Sequence, residues 1–452
     1  MASRKLLCRV LMSVSLLAVI GLAFAPERAA AQATAGVAVD AQGVLRTRMV
    51  NDPGGMLLRQ RVQAARASLN PEVAKTSPLR MISLTRLETA IAERNGVLTD
   101  EERYLAGLQR VKYVFCYPDS GDVVIAGPAE GWVTNPAGRV VGIQSGRPVI
   151  RLEDLVVALR AFPPGKAATT LVGCSIDPTA EGLAAMQRFL RGIGSYATPR
   201  DTRRIVQGLR TSMGLQTVSI NGVPPNTRFA QVLVEADYRM KLIGIGLEHP
   251  PVRMTSYVQR ANPAQVARNA MQRWFFTPDY ESVLVSDDRL AMELVGDGVK
   301  LIGEDELVTA DGQRQAAGRG NKASQAFVTS FTEKYPQLAA RAPIYAELRN
   351  LIDLTIAAAF IQEEDYYSQA DWEMPLLGDE SRFAVERHTA PVSVETAVNA
   401  IWKGNRLMTP VGGGVQIQPK RALQAAEQDS SGDLAAARGR TLEVPKDRWW
   451  WD

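Results

Sequence analysis

Histidine and cysteine are scarce in this chain of 452 residues, which contains two histidines and three cysteines. With only His249 and His388 present, metal sites built from several imidazoles are excluded. A serine triad would need one of these two, and no Gly-x-Ser-x-Gly elbow is present to place the serine. The triple glycine 412–414 lacks the Lys-Ser/Thr pair that completes a phosphate-binding loop. From these absences we predict neither a metal nor a cofactor.

Long uncharged apolar runs are absent beyond the N-terminus, so we expect no membrane span after removal of the first segment. Three basic side chains precede the apolar run Leu11–Ala25, and the small residues Ala29–Ala31 follow it. This succession predicts a cleavable signal peptide over residues 1–31, with Ala23–Ala25 as a second cleavage site. An uncleaved anchor is the alternative, although fifteen apolar residues are short for a span. The expected location is periplasmic or secreted.

An excess of charge of one sign is also missing from the mature chain. Cleavage after Ala31 reduces 52 basic and 48 acidic residues to 48 and 47, which leaves a net charge of +1. A nearly neutral chain gives no electrostatic reason to expect a nucleic acid as partner. We therefore expect an envelope component or another protein as partner.

Two cysteines, Cys116 and Cys174, remain after cleavage, and each lies in a run typical of a strand. They are a candidate disulfide, because an exported chain meets an oxidising environment. Closing a loop of this length would stabilise the fold by about 4 kcal/mol in the chain-entropy treatment. Two buried free thiols are the alternative, since the sequence does not show whether the strands adjoin.

The alternation of strand and helix patterns predicts an α+β fold with mixed strands, packed helices and at least two units. A segment nearly free of large apolar residues is the main boundary between these units. The predicted organisation is a signal peptide (1–31), an α+β domain (32–308), a linker (309–322), a helical pair plus β region (323–424) and a mobile tail (425–452) that ends in Trp-Trp-Trp-Asp. For the three indoles, docking back onto the chain's own domain is favoured over stacking on a sugar.

The stretch Val218–Glu248 carries the densest set of local signals. A β-rich run, an Asn-Gly turn, two prolines and a cap precede an apolar stripe at helical spacing that includes Phe229 and Leu233. A second apolar run, Leu242–Leu247, completes a predicted strand–helix–strand unit. We interpret the helix's alternating charges as a solvated face; they are Glu235, Asp237, Arg239 and Lys241.

Other local patterns are clear. Pro118–Gly121 predicts a hairpin between Tyr113–Tyr117 and Asp122–Ala126, and Thr99 with Glu102 has capping-box spacing. A short helix is expected over Pro263–Trp274. Acidic clusters offer carboxylates for hydrolysis but are not distinguishable from solvated surface; they are Asp287-Asp288, Glu304–Glu306 and Glu363–Asp365. The catalytic residues, if the chain is an enzyme, are unknown at this point.

At VSINGVPPNTRFAQVLVEADYRMKLIGIGLE (Val218–Glu248) the chain resembles a family of exported planctomycete proteins known only as a domain of unknown function. Further segments share the resemblance: Tyr113–Trp132, Gly146–Phe162, Cys174–Leu183, Ala291–Glu306 and Thr409–Ile417. The resemblance implies export and a shared fold, and it brings no site residue with it.

Together these observations favour an exported binding or envelope-associated module. The alternative is a carboxylate-dependent hydrolase acting on an envelope or polysaccharide substrate. An enzyme is expected to show a cleft with facing carboxylates of raised pKa, whereas a binding module is expected to show an exposed apolar or aromatic patch.

Overall fold

The structure, a computed structural model, describes residues 34–50, 52–193, 197–263, 270–318, 320–403, 405–408, 410–440 and 448–452. The predicted signal peptide, residues 1–31, lies outside these ranges. Parallel and antiparallel strand pairs occur in the same sheets, and helices pack on those sheets, which confirms the predicted α+β class.

The strands are β1 (Thr34–Val39), β2 (Val44–Val50), β3 (Ser77–Ser83), β4 (Tyr113–Tyr117), β5 (Asp122–Ala129), β6 (Trp132–Thr134), β7 (Val140–Gly142), β8 (Val172–Asp177), β9 (Leu215–Asn221), β10 (Ala270–Asp279), β11 (Ser282–Val285), β12 (Ala291–Val295), β13 (Gly298–Val308), β14 (Arg314–Ala316), β15 (Ser393–Glu395), β16 (Ala400–Lys403), β17 (Asn405–Met408), β18 (Val411–Ile417), β19 (Glu427–Gln428) and β20 (Trp450–Trp451). The α-helices are α1 (Met56–Ser68), α2 (Pro71–Ala74), α3 (Leu84–Glu93), α4 (Asp100–Arg103), α5 (Leu152–Ala161), α6 (Ala180–Ile193), α7 (Thr202–Met213), α8 (Arg228–Gly244), α9 (Tyr257–Arg260), α10 (Lys322–Glu333), α11 (Tyr335–Arg341), α12 (Pro343–Glu363), α13 (Tyr366–Gln369), α14 (Pro419–Gln424) and α15 (Asp433–Arg440).

Nine strands form the larger sheet in the order β1-β2-β15-β9-β8-β18-β10-β13-β14. Two of its inner strands, β15 and β18, come from the region after residue 322, whereas their neighbours come from before residue 309. Inside the predicted 309–322 linker, β14 pairs antiparallel with the end of β13 as a hairpin. The linker segment therefore extends the sheet, and both predicted units contribute to it.

Seven strands form the smaller sheet in the order β19-β11-β12-β4-β5-β3-β20. Both edge strands, β19 and β20, come from residues 425–452, which were expected to be a mobile tail. Trp450 and Trp451 pair with Ile82 and Met81, and Leu434 on α15 is buried against the same sheet. The described part of this segment is therefore not a mobile tail, because its few apolar side chains pack on the smaller sheet. The tryptophans dock on the chain's own domain, as predicted.

The largest core lies between the sheets and includes two long helices. Helix α8 packs on β8 and β18 of the larger sheet, and α12 packs on α8 and α5. Since both helices are covered on several sides, α12 is buried along nearly all of its length. Smaller apolar clusters cover the other faces of the sheets. None of the helices in the described ranges is both long enough and apolar enough to span a membrane.

The triple glycine in β18 is explained by close strand packing. A Cβ on Gly413 would lie 1.9 Å from the Trp274 carbonyl oxygen, and a Cβ on Gly414 would lie 1.9 Å from that of Cys174. Gly413 also has φ +117°, a conformation that other residues rarely adopt. These glycines let β18 fit between β8 and β10, which is a structural role.

Several local predictions are confirmed. The β4–β5 hairpin and the Thr99–Glu102 capping box are present, and Phe229 and Leu233 are buried in the core. Two predictions are wrong. Leu242–Leu247 is not a strand, because α8 continues through Gly244 and ends in a turn. Ala270–Trp274 belongs to strand β10, where aromatic residues alternate between the faces, and residues 264–269 lie outside the described ranges.

Candidate functional site

The charged side chains of α8 are buried, so the expectation of a solvated face is wrong. Asp237 and Lys241 are both fully buried, and Glu235 and Arg239 are nearly so. Lys241 Nζ donates to Asp237 Oδ2 at 2.7 Å and to the carbonyl oxygens of Ile176 and Gly413 at 3.1 Å each. The two carbonyl partners come from β8 and β18, which an amphipathic pattern along one helix does not reveal. This pair ties α8 to the larger sheet.

Burial outweighs the neighbouring Lys241 cation and raises the pKa of Asp237 to about 6. A raised carboxyl pKa is a feature of catalytic acids. However, Asp237 has no exposed surface, and neither of the two cavities described below includes it. We therefore assign the Asp237–Lys241 pair to the core.

A second buried network joins α5, α8 and α12. Arg139 forms ion pairs with Glu235 and Glu347, and Arg228 forms ion pairs with Asp154 and Glu347. Burial opposes the ionisation of Glu347, but the two arginines outweigh it and lower its pKa. Asp154 has one arginine partner and one oxygen without a hydrogen bond, and burial raises its pKa to about 6. Each charged side chain of this network nevertheless has an ion-pair partner within the protein.

A cavity of about 290 Å³ lies where α11 and α12 meet the smaller sheet, and we call it the Arg349 cavity. Its lining combines four cations with one carboxylate and several apolar or neutral residues: Gln109, Arg110, Lys112, Pro128, Arg147, Asp297, Pro336, Ala339, Ala340 and Arg349. Arg110 and Lys112 are paired with Asp353 and Glu293, so Arg147 and Arg349 are the cations of this lining that form no ion pair among the described residues.

Arg349 is the unusual member of this lining. Among the described residues it has no ion pair within 4.0 Å, and its Nε is buried without a hydrogen-bond partner. Burial and the nearby Arg110 cation lower its pKa. Its neighbour Asp353, one turn along α12, already accepts from Arg110 Nε at 2.8 Å and from the Tyr280 hydroxyl at 2.9 Å. Arg349 is thus a half-buried cation without a counterion of its own.

Arg110 is held rigidly on the opposite wall. Its Nη2 donates to the Gly296 carbonyl at 2.9 Å, in addition to the Asp353 contact. Burial disfavours its charge, but Asp353 outweighs burial and raises the pKa of Arg110. Gly127 lets β5 approach closely, since a Cβ there would lie 2.0 Å from the Arg110 carbonyl oxygen. The cavity wall is therefore formed before any ligand binds.

Arg147 is placed by a buried polar cluster below its loop. Gln109 Nε2 donates to Glu130 Oε1 at 2.7 Å and to Ser145 Oγ at 2.8 Å. Glu130 Oε1 also accepts from the Ser145 backbone amide at 2.9 Å, and Ser145 Oγ accepts from the Arg147 amide at 3.1 Å. Like Arg349, the Arg147 side chain forms no ion pair among the described residues. It is exposed at the rim of the cavity. The cavity can bind an anionic group between Arg110, which is held in place by Asp353 and Gly296, and the unpaired side chains of Arg147 and Arg349.

A larger cavity of about 750 Å³ lies at the start of α5, and we call it the α5 cavity. Glu153 and Glu386 line it together with three arginines. One ligand atom from each of Glu153, Glu386 and His388 lies within 4.8 Å of the others. Glu153 also accepts from Arg151 Nη1 at 3.1 Å. The proximity of His388 to Glu153 was not predictable from the sequence, because the two residues lie more than two hundred positions apart.

The remaining sequence candidates are dispersed. The three acidic clusters lie apart and are held by arginines: Asp288 by Arg438, Glu306 by Arg273, and Glu364 by Arg289. Cys116 and Cys174 lie on β4 and β8, which are strands of different sheets. Both are buried free thiols and form no disulfide in this structure. Burial raises the pKa of Cys116 to about 12 and that of Cys174 well above its usual value, which makes both thiols unreactive.

Sequence reasoning missed the Arg349 cavity. The signal that was available is the group of charges inside the otherwise apolar helix α12, where Glu347, Arg349 and Asp353 interrupt a long hydrophobic run. Charged side chains in such a helix need a partner in the protein or a ligand. The sequence alone does not show which of them has a partner.

A family described as a protein of unknown function (DUF1598) matches residues 174–257. This range extends from β8 into α9 and contains the Asp237–Lys241 pair, while Arg349 and His388 lie outside it. Neither the curated proteins nor the solved structures give a match. The chain therefore contains a domain of unknown function, and the comparison assigns no role to any residue.

Proposed function

We propose that the protein is an exported binding module whose Arg349 cavity recognises an anionic group on an envelope component or a protein partner. The observation that supports this proposal is the half-buried Arg349, which has no ion pair within the described ranges and lies near Arg110. An unpaired charge removed from water costs free energy. An anionic ligand supplies the missing counter-charge and recovers that cost.

The chemistry of the lining favours an oxyanion. Guanidinium groups present planar pairs of N–H donors that match carboxylate and phosphate oxygens. The volume of about 290 Å³ accommodates such a group together with part of the molecule that carries it. The ligand is therefore a small oxyanion, or a larger molecule that inserts one charged end.

Titration calorimetry with inorganic phosphate, sulfate and glucuronate tests the proposal. One of these anions should bind at a single site, and Arg349→Met should weaken binding by roughly ten- to hundredfold, the effect of losing a charged hydrogen-bond partner. Arg188→Met, which removes an exposed arginine of α6 outside the cavity lining, is the matched control and should bind as the wild type does. Equal affinity of the wild type and Arg349→Met, or no binding of the three anions, would contradict the proposal.

Export is supported by the basic, apolar and small residues in succession at the N-terminus. Mass spectrometry of the protein from the producing cell should find Gln32 as the first residue, in the periplasmic or secreted fraction. Recovery of intact protein beginning with Met1 from the cytoplasm would contradict export. This measurement is independent of the anion titration.

The second candidate function is a carboxylate-dependent hydrolase acting on an envelope or polysaccharide substrate. It is supported by Glu153 and Glu386, which line the α5 cavity and each place one carboxylate oxygen within 4.8 Å of the other. Retaining glycosidases place their two carboxyl groups about 5–5.5 Å apart. Release of reducing ends from peptidoglycan or a polysaccharide, lost in Glu386→Gln, would favour this function over the binding module.

A further inference from the structure

We propose that Glu153, Glu386 and His388 form a binding site for a divalent transition-metal ion at the edge of the α5 cavity. The site requires no property of the Arg349 cavity. Its three ligand atoms lie within 4.8 Å of one another, although they come from α5 and from an extended segment far along the chain.

Backbone geometry brings the three side chains together. Glu386 and His388 lie two positions apart in residues 384–392, a segment that forms neither a helix nor a strand. A ligand atom of each lies within 4.8 Å of that of Glu153, which is on the first turn of α5. The chain is anchored on both sides of Glu386, since the His388 amide donates to the Asn226 carbonyl at 2.8 Å and Arg160 of α5 donates to the Phe383 carbonyl.

The imidazole of His388 supplies an independent indication of a ligand. Its Nε2 is buried and lacks a hydrogen-bond partner. Among the described residues it also forms no ion pair within 4.0 Å, even though two carboxylates lie close to it. A neutral imidazole nitrogen without a hydrogen bond is an electron-pair donor. With two carboxylates beside it, this nitrogen is suited to bind a cation.

The donor set indicates the class of metal. One imidazole nitrogen with two carboxylate oxygens suits Zn²⁺ and neighbouring divalent ions, which bind such donors at about 2.0–2.2 Å. Binding at that distance requires the glutamates to rotate, and Glu153 then gives up its 3.1 Å contact with Arg151. Three protein ligands leave a coordination position open to the α5 cavity, where a water or a ligand group can bind.

The competing explanation is a protonated His388 balanced by the two glutamates without a metal. Titration of the EDTA-treated, dialysed full chain with ZnCl₂ decides between them. We expect one Zn²⁺ per chain. His388→Ala and Glu386→Gln should each weaken binding by at least roughly 10–100-fold, since even outer-shell partners of metal ligands have effects of this size.

The chain offers a matched control, because its only other histidine, His249, is exposed and outside the cluster. His249→Ala should bind Zn²⁺ as the wild type does, and Zn²⁺ should shift the imidazole NMR signals of His388 but not those of His249. Urea unfolding of each variant checks that it is folded. The proposal is overturned by absence of stoichiometric binding to the wild type, by unchanged affinity in folded His388→Ala, or by equal loss in His249→Ala.

Discussion

The side chains of Asp237 and Lys241 form an ion pair with both partners 0% exposed, and Lys241 Nζ lies 2.7 Å from Asp237 Oδ2. One turn of α8 separates the two residues, and the lysine also reaches two carbonyl groups of the larger sheet. The pair therefore couples the helix to the sheet through charge as well as through apolar packing.

Asp237→Asn should lower the free energy of unfolding by about 3–5 kcal/mol, because it leaves Lys241 buried without its counterion. This is comparable with Leu233→Ala in the same helix, for which about 2–5 kcal/mol is expected from the lost core packing. Urea denaturation at pH 7 measures both. Asp119→Asn, in the exposed β4–β5 turn, is the control and should change stability by less than about 0.5 kcal/mol. A loss below that limit for Asp237→Asn would show that the pair is not buried.

The Glu347 network predicts a pH-dependent effect. The pKa of Glu347 is lowered in the folded protein, so its ionised form stabilises the fold above the unfolded-state pKa of about 4.3. That stabilisation is lost as the pH falls through the lower pKa of the folded state. Glu347→Gln should therefore cost about 3–5 kcal/mol at pH 7, where two arginines lose a partner, and progressively less below pH 4.3.

Urea unfolding of the wild type and Glu347→Gln between pH 3 and pH 7 provides the measurement. Glu93→Gln, on the exposed side of α3, should show little difference from the wild type across the same range. A deficit of Glu347→Gln that stays constant with pH would mean that its pKa is not lowered by folding.

Arg349 should destabilise the protein when no ligand is bound. Arg349→Met keeps most of the aliphatic stem and removes the unpaired charge, so the free energy of unfolding of the ligand-free variant should rise by about 1 kcal/mol. Urea denaturation in a buffer without phosphate or sulfate tests this, with Arg188→Met as the control. Destabilisation by Arg349→Met would show that the guanidinium stabilises the fold, and it would contradict the proposed anionic ligand.

Short-range features of the fold were predictable from the sequence, because their causes are local. The β4–β5 hairpin follows from four turn residues, and the Thr99–Glu102 cap from a three-residue spacing. The burial of Lys241 was not predictable, since one of its partners, the Gly413 carbonyl, is 172 positions away. Likewise Arg110 and Asp353, which leave Arg349 without a counterion, are 243 positions apart.

The final prediction concerns the C-terminus, where the fully buried Arg80 holds Asp452. Arg80 Nε and Nη2 contact the two carboxylate oxygens of Asp452 at 2.7 and 2.9 Å, and the guanidinium lies 4.6 Å from the ring centre of Trp450. Asp452 is 39% exposed, so water screens its carboxylate and weakens the ion pair with Arg80. Asp452→Asn should cost about 1–3 kcal/mol, because a buried charged donor loses its partner.

Deletion of residues 449–452 should cost more than Asp452→Asn, since it also removes strand β20 and two buried indoles from the edge of β3. Urea denaturation ranks the two variants, with Asp119→Asn as the reference for a harmless aspartate change. Limited proteolysis should then cleave the truncated protein within β3 or α15, which the docked tail protects in the full chain. If the truncation leaves stability unchanged, the tryptophans do not dock on the sheet and are free to bind a partner.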